Sequence, residues 1–171
     1  ICGTINPGHY SSISVGNKNT LTLNPGLYCV ENFDYSKGTL LGDGIVIYMP
    51  AGNPGLHANA QSELSISAPT SDNCEAGNTC DWIGLLMWSD VDPDDDSALN
   101  GEIRLNGGNS TATQGMIYAP RNVCTLEGGA DTVMVGVFVC WGIRGEGNSE
   151  LEIWYEKPEF LNTPPRVSIT E

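Results

Sequence analysis

Two kinds of apolar segment recur along the chain. The first kind begins with glycine and continues with consecutive apolar residues; its examples are GIVIYM, GLLMW, GMIYA and GVFVCW, which begin at Gly44, Gly84, Gly115 and Gly136. Unbroken apolar runs of this length predict strands that are buried on both faces or covered on their outward side. The second kind alternates apolar and polar residues, which predicts strands with one inward and one solvated face. Its examples are LTL, ELSIS, EIRLN, CTLE and ELEIW, which begin at Leu21, Glu63, Glu102, Cys124 and Glu150.

The two kinds of segment take turns, which indicates a chain that winds repeatedly through the same structure. Late in the sequence the repeat is regular, because 21 residues separate Gly115 from Gly136 and also Leu105 from Leu126. A period of this length, made of strands and turns, is typical of a β-solenoid. We therefore predict an all-β fold with little or no α-helix, a right-handed, three-sided parallel β-helix with projecting loops. The alternative is an antiparallel sandwich or jelly roll, which requires two-residue hairpin turns and strand spacings of about eight to twelve residues.

The phrase Asn-Pro-Gly-x-Tyr occurs twice, within residues 4–10 and within residues 21–28. One interpretation is a pair of binding loops with an aromatic residue at each tip, and the other is a corner that the chain repeats on consecutive laps. Proline presets φ for the first central position of a turn, and glycine accepts a positive φ after it. Because the apolar segments already indicate laps, we predict stacked corners, with Tyr10 and Tyr28 leading into the next strands.

The 171 residues are enough for one domain with a sizeable core. We predict a single β-helix domain over residues 1–157 and a tail over residues 158–171 that runs extended on its surface. Polar insertions over residues 68–81 and 89–102 are expected to project from the wall and to cover part of a sheet. The chain begins without methionine and contains no apolar stretch that would span a membrane, so we expect a fragment or processed product without direct membrane contact.

The charge balance is strongly acidic. Seven Lys and Arg residues face 21 Asp and Glu residues, which gives a formal net charge of −14. Nucleic acids and anionic membranes bind through basic patches, so we exclude both as partners. The acidity is better explained by a soluble surface, and we predict an extracellular or cell-surface location.

Six cysteines and the lack of a Cys-x-x-Cys motif indicate disulfides rather than a zinc site. Cys74 and Cys80 bracket a short polar segment, which predicts a local Cys74–Cys80 disulfide. Stacked corners would bring together the sulfurs of a Cys2–Cys29 pair. The Cys124–Cys140 pair then follows by elimination. The alternative is that one or more of these cysteines are free buried thiols.

A run of carboxylates in the second polar insertion suggests calcium, which is the one cofactor that the sequence indicates. Its alternate positions resemble the ligand spacing of calcium loops; they are Asp90, Asp92, Asp94 and Asp96. An EF-hand is excluded, because Asp95 stands where glycine is required and Gly101 where glutamate is required. The alternatives are calcium in another geometry or a solvated acidic loop.

Catalytic chemistry is not indicated. Cleavage of a polysaccharide requires two carboxylates near each other. Glu63, Glu102 and Glu150 stand at outward positions of alternating strands, where they form either a line or ordinary solvated faces. The basic residues are scattered and neither histidine has a Ser/Asp context, so we predict a non-enzymatic protein without catalytic residues.

The four tryptophans are candidates for sugar stacking, although such residues more often fill a core or lie under a loop. They are Trp82, Trp88, Trp141 and Trp154. Trp88 is the strongest candidate, because it ends an apolar strand beside the acidic run.

Short motifs follow one another in a particular order over residues 24–155. A Pro-Gly-x-Tyr phrase at residues 25–28 precedes a Gly-x-Gly phrase and apolar strand at 42–48, then Ser-Ala-Pro at 67–69, then GMIYAP at 115–120. This order resembles the C-terminal β-helical region of TadE/TadG-like Flp pilus-assembly proteins and related PilX-type minor pilins. The cysteines and the acidic insertion have no counterpart in that resemblance.

The resemblance implies an envelope or pilus-associated surface protein and carries over no catalytic residues. We therefore predict a structural or adhesive component of a pilus or surface filament, or of its assembly. Its expected partners are other pilus or cell-envelope proteins, or further copies of itself in a filament. The alternatives are a β-helix that binds or cleaves surface glycans and a calcium-dependent adhesin.

Overall fold

The structure is a parallel β-solenoid. The computed structural model describes residues 3–16, 19–35, 38–50, 56–58, 63–76, 78–90, 102–106, 111–127, 132–146 and 152–154. Within these ranges the chain forms fifteen strands and one short 3-10 turn, Cys80–Trp82, and no α-helix. The predicted tail over residues 158–171 lies outside the described residues.

The strands form three faces, and each lap of the chain adds one strand to each face. The first face contains β1 (Gly3–Ile5), β4 (Thr20–Leu23), β7 (Thr39–Gly42), β10 (Glu63–Ser67) and β15 (Glu152–Trp154). The second face contains β2 (Gly8–Tyr10), β5 (Gly26–Val30), β8 (Ile45–Met49) and β11 (Leu85–Ser89). The third face contains β3 (Ile13–Val15), β6 (Phe33–Tyr35), β9 (Leu56–Ala58) and β12 (Glu102–Asn106). Two long strands, β13 (Thr111–Glu127) and β14 (Thr132–Glu146), pass around all three faces.

All described strand pairs are parallel, which confirms the solenoid and excludes the antiparallel sandwich. Leu105 pairs with Leu126, as the 21-residue repeat predicts. Gly115 pairs with Gly136 in the same way. The repeat that is visible in the sequence is therefore the rise from one lap to the next.

The core consists of columns of inward side chains, one from each lap. On the third face the column contains five buried side chains in register, Ile13, Phe33, Leu56, Ile103 and Cys124. On the first face it contains Leu21, Leu40 and Leu64. Burial of a large apolar side chain contributes about 1.5–3 kcal/mol, so the columns are the main source of stability.

The two kinds of apolar segment correspond to different faces. The glycine-led segments form the second face, and the alternating segments form the first and third faces. In β8, Ile45 and Ile47 point into the core, yet Val46 between them is only 1% exposed. The outward side of this corner is covered by the insertion, where Asn73 Nδ2 donates a hydrogen bond to Asp43 Oδ1 at 3.1 Å. This confirms that an insertion covers part of a sheet.

The repeated Asn-Pro-Gly-x-Tyr phrase is a corner that stacks on itself. Asn24 Nδ2 donates to Asn6 Oδ1 at 2.8 Å, which links the two asparagines across laps. A Cβ atom at Gly26 would lie 2.2 Å from Pro7 Cγ, and Gly26 has a φ of 139°. Glycine is therefore required at this position both by its backbone conformation and by the proline of the preceding lap.

Each tyrosine of the phrase closes its own corner. The Tyr10 hydroxyl donates to the carbonyl oxygen of Asn6 at 2.6 Å, and the Tyr28 hydroxyl donates to that of Asn24 at 2.7 Å. The rings stack with centroids 6.2 Å apart. The interpretation of the phrase as a stacked corner is thus confirmed, and the tyrosines are structural.

We predict that Gly136→Ala destabilises the fold by at least about 3 kcal/mol, because overpacking is costly where backbone cannot move. The new Cβ would lie 2.0 Å from the carbonyl oxygen of Gly115. The matched control is Gly145→Ala in the same strand, where a Cβ would meet nothing within 4 Å. Urea denaturation should place the control within about 0.5 kcal/mol of the parent. Equal stabilities of the two variants would contradict the close approach of Gly136 to the carbonyl oxygen of Gly115.

We predict that Tyr28→Phe costs about 1 kcal/mol at neutral pH, because it removes the hydroxyl that donates to the Asn24 and Ile5 carbonyl oxygens, although the Ile5 oxygen keeps the Asn24 amide as a donor at 3.0 Å. The Tyr28 hydroxyl lies 2.7 Å from the Asn24 oxygen and 3.0 Å from the Ile5 oxygen. Tyr10→Phe, at a more exposed corner, should cost about 0.5 kcal/mol or less. Thermal denaturation followed by circular dichroism measures both.

Tyr28 also makes the stability of the fold depend on pH. Burial, together with the neighbouring Tyr10, raises the pKa of Tyr28 well above its ordinary value of 10.0. The folded state keeps the hydroxyl neutral, so its contribution is complete below pH 10.0 and is lost as the unfolded chain ionises at higher pH. Above that pH the parent should lose stability more steeply than Tyr28→Phe. An identical alkaline slope for the two proteins would show that Tyr28 ionises freely.

Candidate functional site

The acidic run begins at the end of β11. Asp90 is exposed, and its Oδ2 accepts a hydrogen bond from the Tyr48 hydroxyl at 3.1 Å. The other predicted calcium ligands, Asp92, Asp94 and Asp96, lie outside the described residues. Among the residues that are described, no three His, Cys, Asp or Glu side chains are grouped as metal ligands. Calcium binding at this run stays a prediction.

Two of the three predicted disulfides are present. Cys74–Cys80 closes the insertion, with Cα atoms 4.9 Å apart. Cys124–Cys140 has Cα atoms 6.0 Å apart and joins β13 to β14, so it links neighbouring laps. Cys29 is a free, half-buried thiol in the structure, and its predicted partner Cys2 lies outside the described residues. The Cys2–Cys29 pair is therefore not confirmed.

Aromatic side chains follow one another along the outward side of the second face. Tyr48 pairs with Trp88, and Trp88 pairs with Tyr118 on the next lap. Tyr118 pairs with Val139 on β14, and the exposed Trp141 follows two residues later, where the register between β13 and β14 shifts. We call the four aromatic residues Tyr48, Trp88, Tyr118 and Trp141 the aromatic row.

The rings at the start of the aromatic row are in contact. The Tyr48 and Trp88 centroids lie 5.6 Å apart with an interplanar angle of 70°. Trp82, from the insertion, lies 5.4 Å from Trp88 at 47°. Towards the last described laps the side chains become exposed, with Tyr118 at 40% and Trp141 at 71%. The row therefore begins under the insertion and ends in solvent.

The predictions for the tryptophans have mixed outcomes. Trp82 and Trp88 are half-buried and in contact with each other, whereas Trp141 is open to solvent. The side chain of Trp154 lies outside the described residues. Tyr48 and Tyr118 were not singled out from the sequence. Both stand three or four positions after the glycine that begins a second-face segment, as Trp88 does, and this offset is the signal that identifies them.

The Asp90 carboxylate forms the polar edge of the aromatic row. Partial burial raises the pKa of Tyr48 above its ordinary value of 10.0, and the hydrogen bond to Asp90 and its charge act in the same direction. The hydroxyl is therefore a neutral donor at physiological pH. Asp90 in turn keeps acceptor capacity, because an ionised carboxylate has about four lone-pair positions and Tyr48 occupies one.

A second surface feature is an open groove of about 620 Å³ on the first face. The floor of the groove consists of outward side chains from successive laps, and its edge consists of the residues that precede the corner. The floor includes Thr22, Ser65 and Ala112, and the edge includes Asn24, Asp43 and Gln114. Asp43 is the one ionisable group among its described lining residues, and it accepts hydrogen bonds from Ser67 and Asn73. Glycoside cleavage needs two carboxylates. The groove therefore gives no support to cleavage.

Of the two alternatives for the outward glutamates, a line or ordinary solvated faces, the structure opposes a line that contains both Glu63 and Glu102. Glu63 lies on the first face and Glu102 on the third, so they cannot form one line, and Glu150 lies outside the described residues. Alternating strands occur on two faces, which the pattern alone does not distinguish. Glu102 instead accepts a hydrogen bond from Thr125 of the next lap.

Arg104 is the centre of an ion-pair cluster on the third face. Its Nη2 lies 3.2 Å from Glu127 Oε1 and 3.0 Å from Glu146 Oε2, and its Nε lies 3.8 Å from Glu102 Oε1. These glutamates come from three laps. The guanidinium therefore neutralises carboxylates that would otherwise repel one another across laps.

Compared with known proteins, the chain matches no family model, no curated protein and no solved structure. The resemblance to TadE/TadG-like proteins therefore stays a prediction. In the part of the chain that the structure describes, no helix is long and apolar enough to cross a membrane.

We predict that Arg104→Met destabilises the protein by about 1 kcal/mol, because it removes the cation that lies between the carboxylates of Glu102, Glu127 and Glu146. The matched control is Arg144→Met, whose side chain is 61% exposed and whose Nη1 lies 3.7 Å from Glu146 Oε1. The control should cost about 0.5 kcal/mol or less. Chemical denaturation at low and high salt measures both, and salt should reduce the Arg104 effect. Equal costs for the two arginines would show that the cluster is not a cross-lap link.

Proposed function

We propose that this chain is a non-enzymatic structural or adhesive protein outside the cell or on its surface, as a component of a pilus or surface filament or of its assembly. The observation that supports this best is the exposure of apolar side chains on the last two long strands. Tyr118, Val139 and Trp141 are 40%, 36% and 71% exposed. Large apolar side chains that are exposed side by side are typical of a surface that another molecule covers.

The exposed side chains stand on a rigid support. β13 and β14 pair from Thr111 and Thr132 to Glu127 and Glu146 with one register shift between Ala119 and Val123, and the Cys124–Cys140 disulfide joins the same strands. A surface that is already ordered loses little conformational freedom on binding, so a rigid wall suits attachment. The two disulfides are consistent with an extracellular protein.

Attachment can be tested with the full chain, isolated surface filaments and whole cells of the source organism. We expect the protein to be retained on one of these preparations or to assemble with itself in sedimentation velocity experiments. Trp141→Arg should reduce retention or self-assembly at least tenfold, because it places a charge on the exposed apolar surface. Thr22→Arg, on the outward side of the first face, is the control and should have no effect. A monomer that is retained nowhere, or equal behaviour of both variants, would contradict the proposal.

A further inference from the structure

We propose that the aromatic row binds a single glycan chain that carries no negative charge. This inference rests on the adhesive function proposed above and names the chemistry of its contact. The site consists of Tyr48, Trp88, Tyr118 and Trp141, with Trp82 beside Trp88 and Asp90 at the polar edge.

The dimensions of the aromatic row fit a short extended ligand. Its members come from four successive laps, because Tyr48, Trp88 and Tyr118 pair in sequence and Trp141 lies on the strand after Tyr118. With a lap spacing of ~4.8 Å, the row is about 14 Å long along the solenoid axis. A ligand that repeats one flat ring after another can therefore meet one side chain of the row on each lap.

The tilt of the three rings beside the insertion argues against a flat ligand at that end of the aromatic row. The interplanar angles at Trp88 are 70° with Tyr48 and 47° with Trp82. Rings at these angles do not lie in one plane, so the planar face of a crystalline polysaccharide cannot rest on all of them. A soluble chain, which turns between its units, can present a different face to each ring.

The chemistry of the row matches that of a sugar. A pyranose has an apolar face of C–H groups, which packs on an aromatic ring, and an edge of hydroxyls, which require acceptors. Tyr118 and Trp141 offer exposed rings. Asp90 supplies acceptors beside Tyr48, because its carboxylate is exposed and only Oδ2 is engaged by the tyrosine hydroxyl among the described contacts.

Charge excludes the anionic polysaccharides. Asp90 and Asp81 are exposed at the end of the row that lies near the insertion, and the whole chain has a formal net charge of −14. A uronic or sulfated chain would be repelled both locally and at long range. Charge complementarity therefore leaves neutral glycans and those with amino groups.

The area of the row favours a glycan over a polypeptide. A stable protein interface covers about 800 Å² on each partner and about 20–30 residues. The aromatic row is one residue wide, and half of its members are half-buried. A surface of this size is matched to an oligosaccharide, which is held by a few rings and a few hydroxyl contacts.

The test is isothermal titration of the full, disulfide-bonded chain with N-acetylglucosamine hexamer, cellohexaose, xylohexaose and glucosamine hexamer, with hexagalacturonate as the anionic probe. We expect at least one uncharged or amino probe to bind and hexagalacturonate not to bind. Tyr118→Ala and Trp141→Ala should each weaken the binding about threefold to tenfold, which is the usual range for one aromatic contact. Trp141→Tyr should retain most of the affinity because it keeps a ring.

The controls separate a lost contact from a lost fold. Val139→Thr lies within the same surface but removes no ring, and Thr22→Ala lies on the first face; both should bind as the parent does. Melting temperatures of all variants show whether Tyr118→Ala and Trp141→Ala remain folded. If Tyr118→Ala unfolds, Trp141→Ala and Trp141→Tyr, at a position 71% exposed, still decide the outcome.

Four results would overturn the inference. They are no binding of any uncharged or amino probe, binding of the anionic probe alone, equal affinity of the parent and both alanine variants, and loss of cell-surface retention after protease but not glycosidase treatment of the surface. The last result would assign the row to a polypeptide partner. Retention on filaments without any glycan binding would leave the proposed adhesive function standing and remove only this inference.

Discussion

Backbone hydrogen bonds between parallel strands hold successive laps of the chain ~4.8 Å apart, and this distance decides which side chains can follow one another. Where two corners come closer than a side chain permits, glycine is required. The carbonyl oxygen of Gly115 occupies the place of a Cβ at Gly136, and Pro7 occupies that of a Cβ at Gly26. At Gly26 and Gly136 the requirement for glycine is therefore a consequence of stacking, and not of the strand that follows.

The same spacing acts on the outward side of the wall. Side chains in register are neighbours whatever their separation in sequence, so like charges would repel and rings are brought together. Arg104 resolves the first case, because it lies between glutamates of three laps. The aromatic row is the second case, since Tyr48 and Trp88 come into contact although the insertion separates them in the chain. Packing of the core requires neither the Arg104 cluster nor the aromatic row. Both arrangements therefore report on the surface of the solenoid and not on its stability alone.

The sequence was sufficient for the features that depend on neighbouring laps of equal length. Leu105 and Leu126 could be paired from their spacing, and Cys124 with Cys140 by elimination. It was insufficient for columns that pass an insertion. Tyr48, Trp88 and Tyr118 are unevenly spaced because insertions lengthen two laps, so no period reveals them. The relative positions of Glu63 and Glu102 could not be predicted for another reason. An alternating strand shows which of its sides is solvated, but not which face of the solenoid it joins.

The insertion changes the surface without changing the wall that carries it. It leaves the lap after Pro69 and returns at Gly84, and the Gly84 amide donates to the Pro69 carbonyl oxygen at 2.8 Å. Because the two ends are hydrogen-bonded to each other, the ladder continues into the next lap, where the Met116 amide donates to the Gly84 oxygen at 2.7 Å. The residues between them are free of the constraints of the core, and they place Trp82 against Trp88. Binding chemistry can therefore be added at a corner while the stacked columns keep their register, which explains why the most aromatic part of this surface lies beside the longest described excursion of the chain.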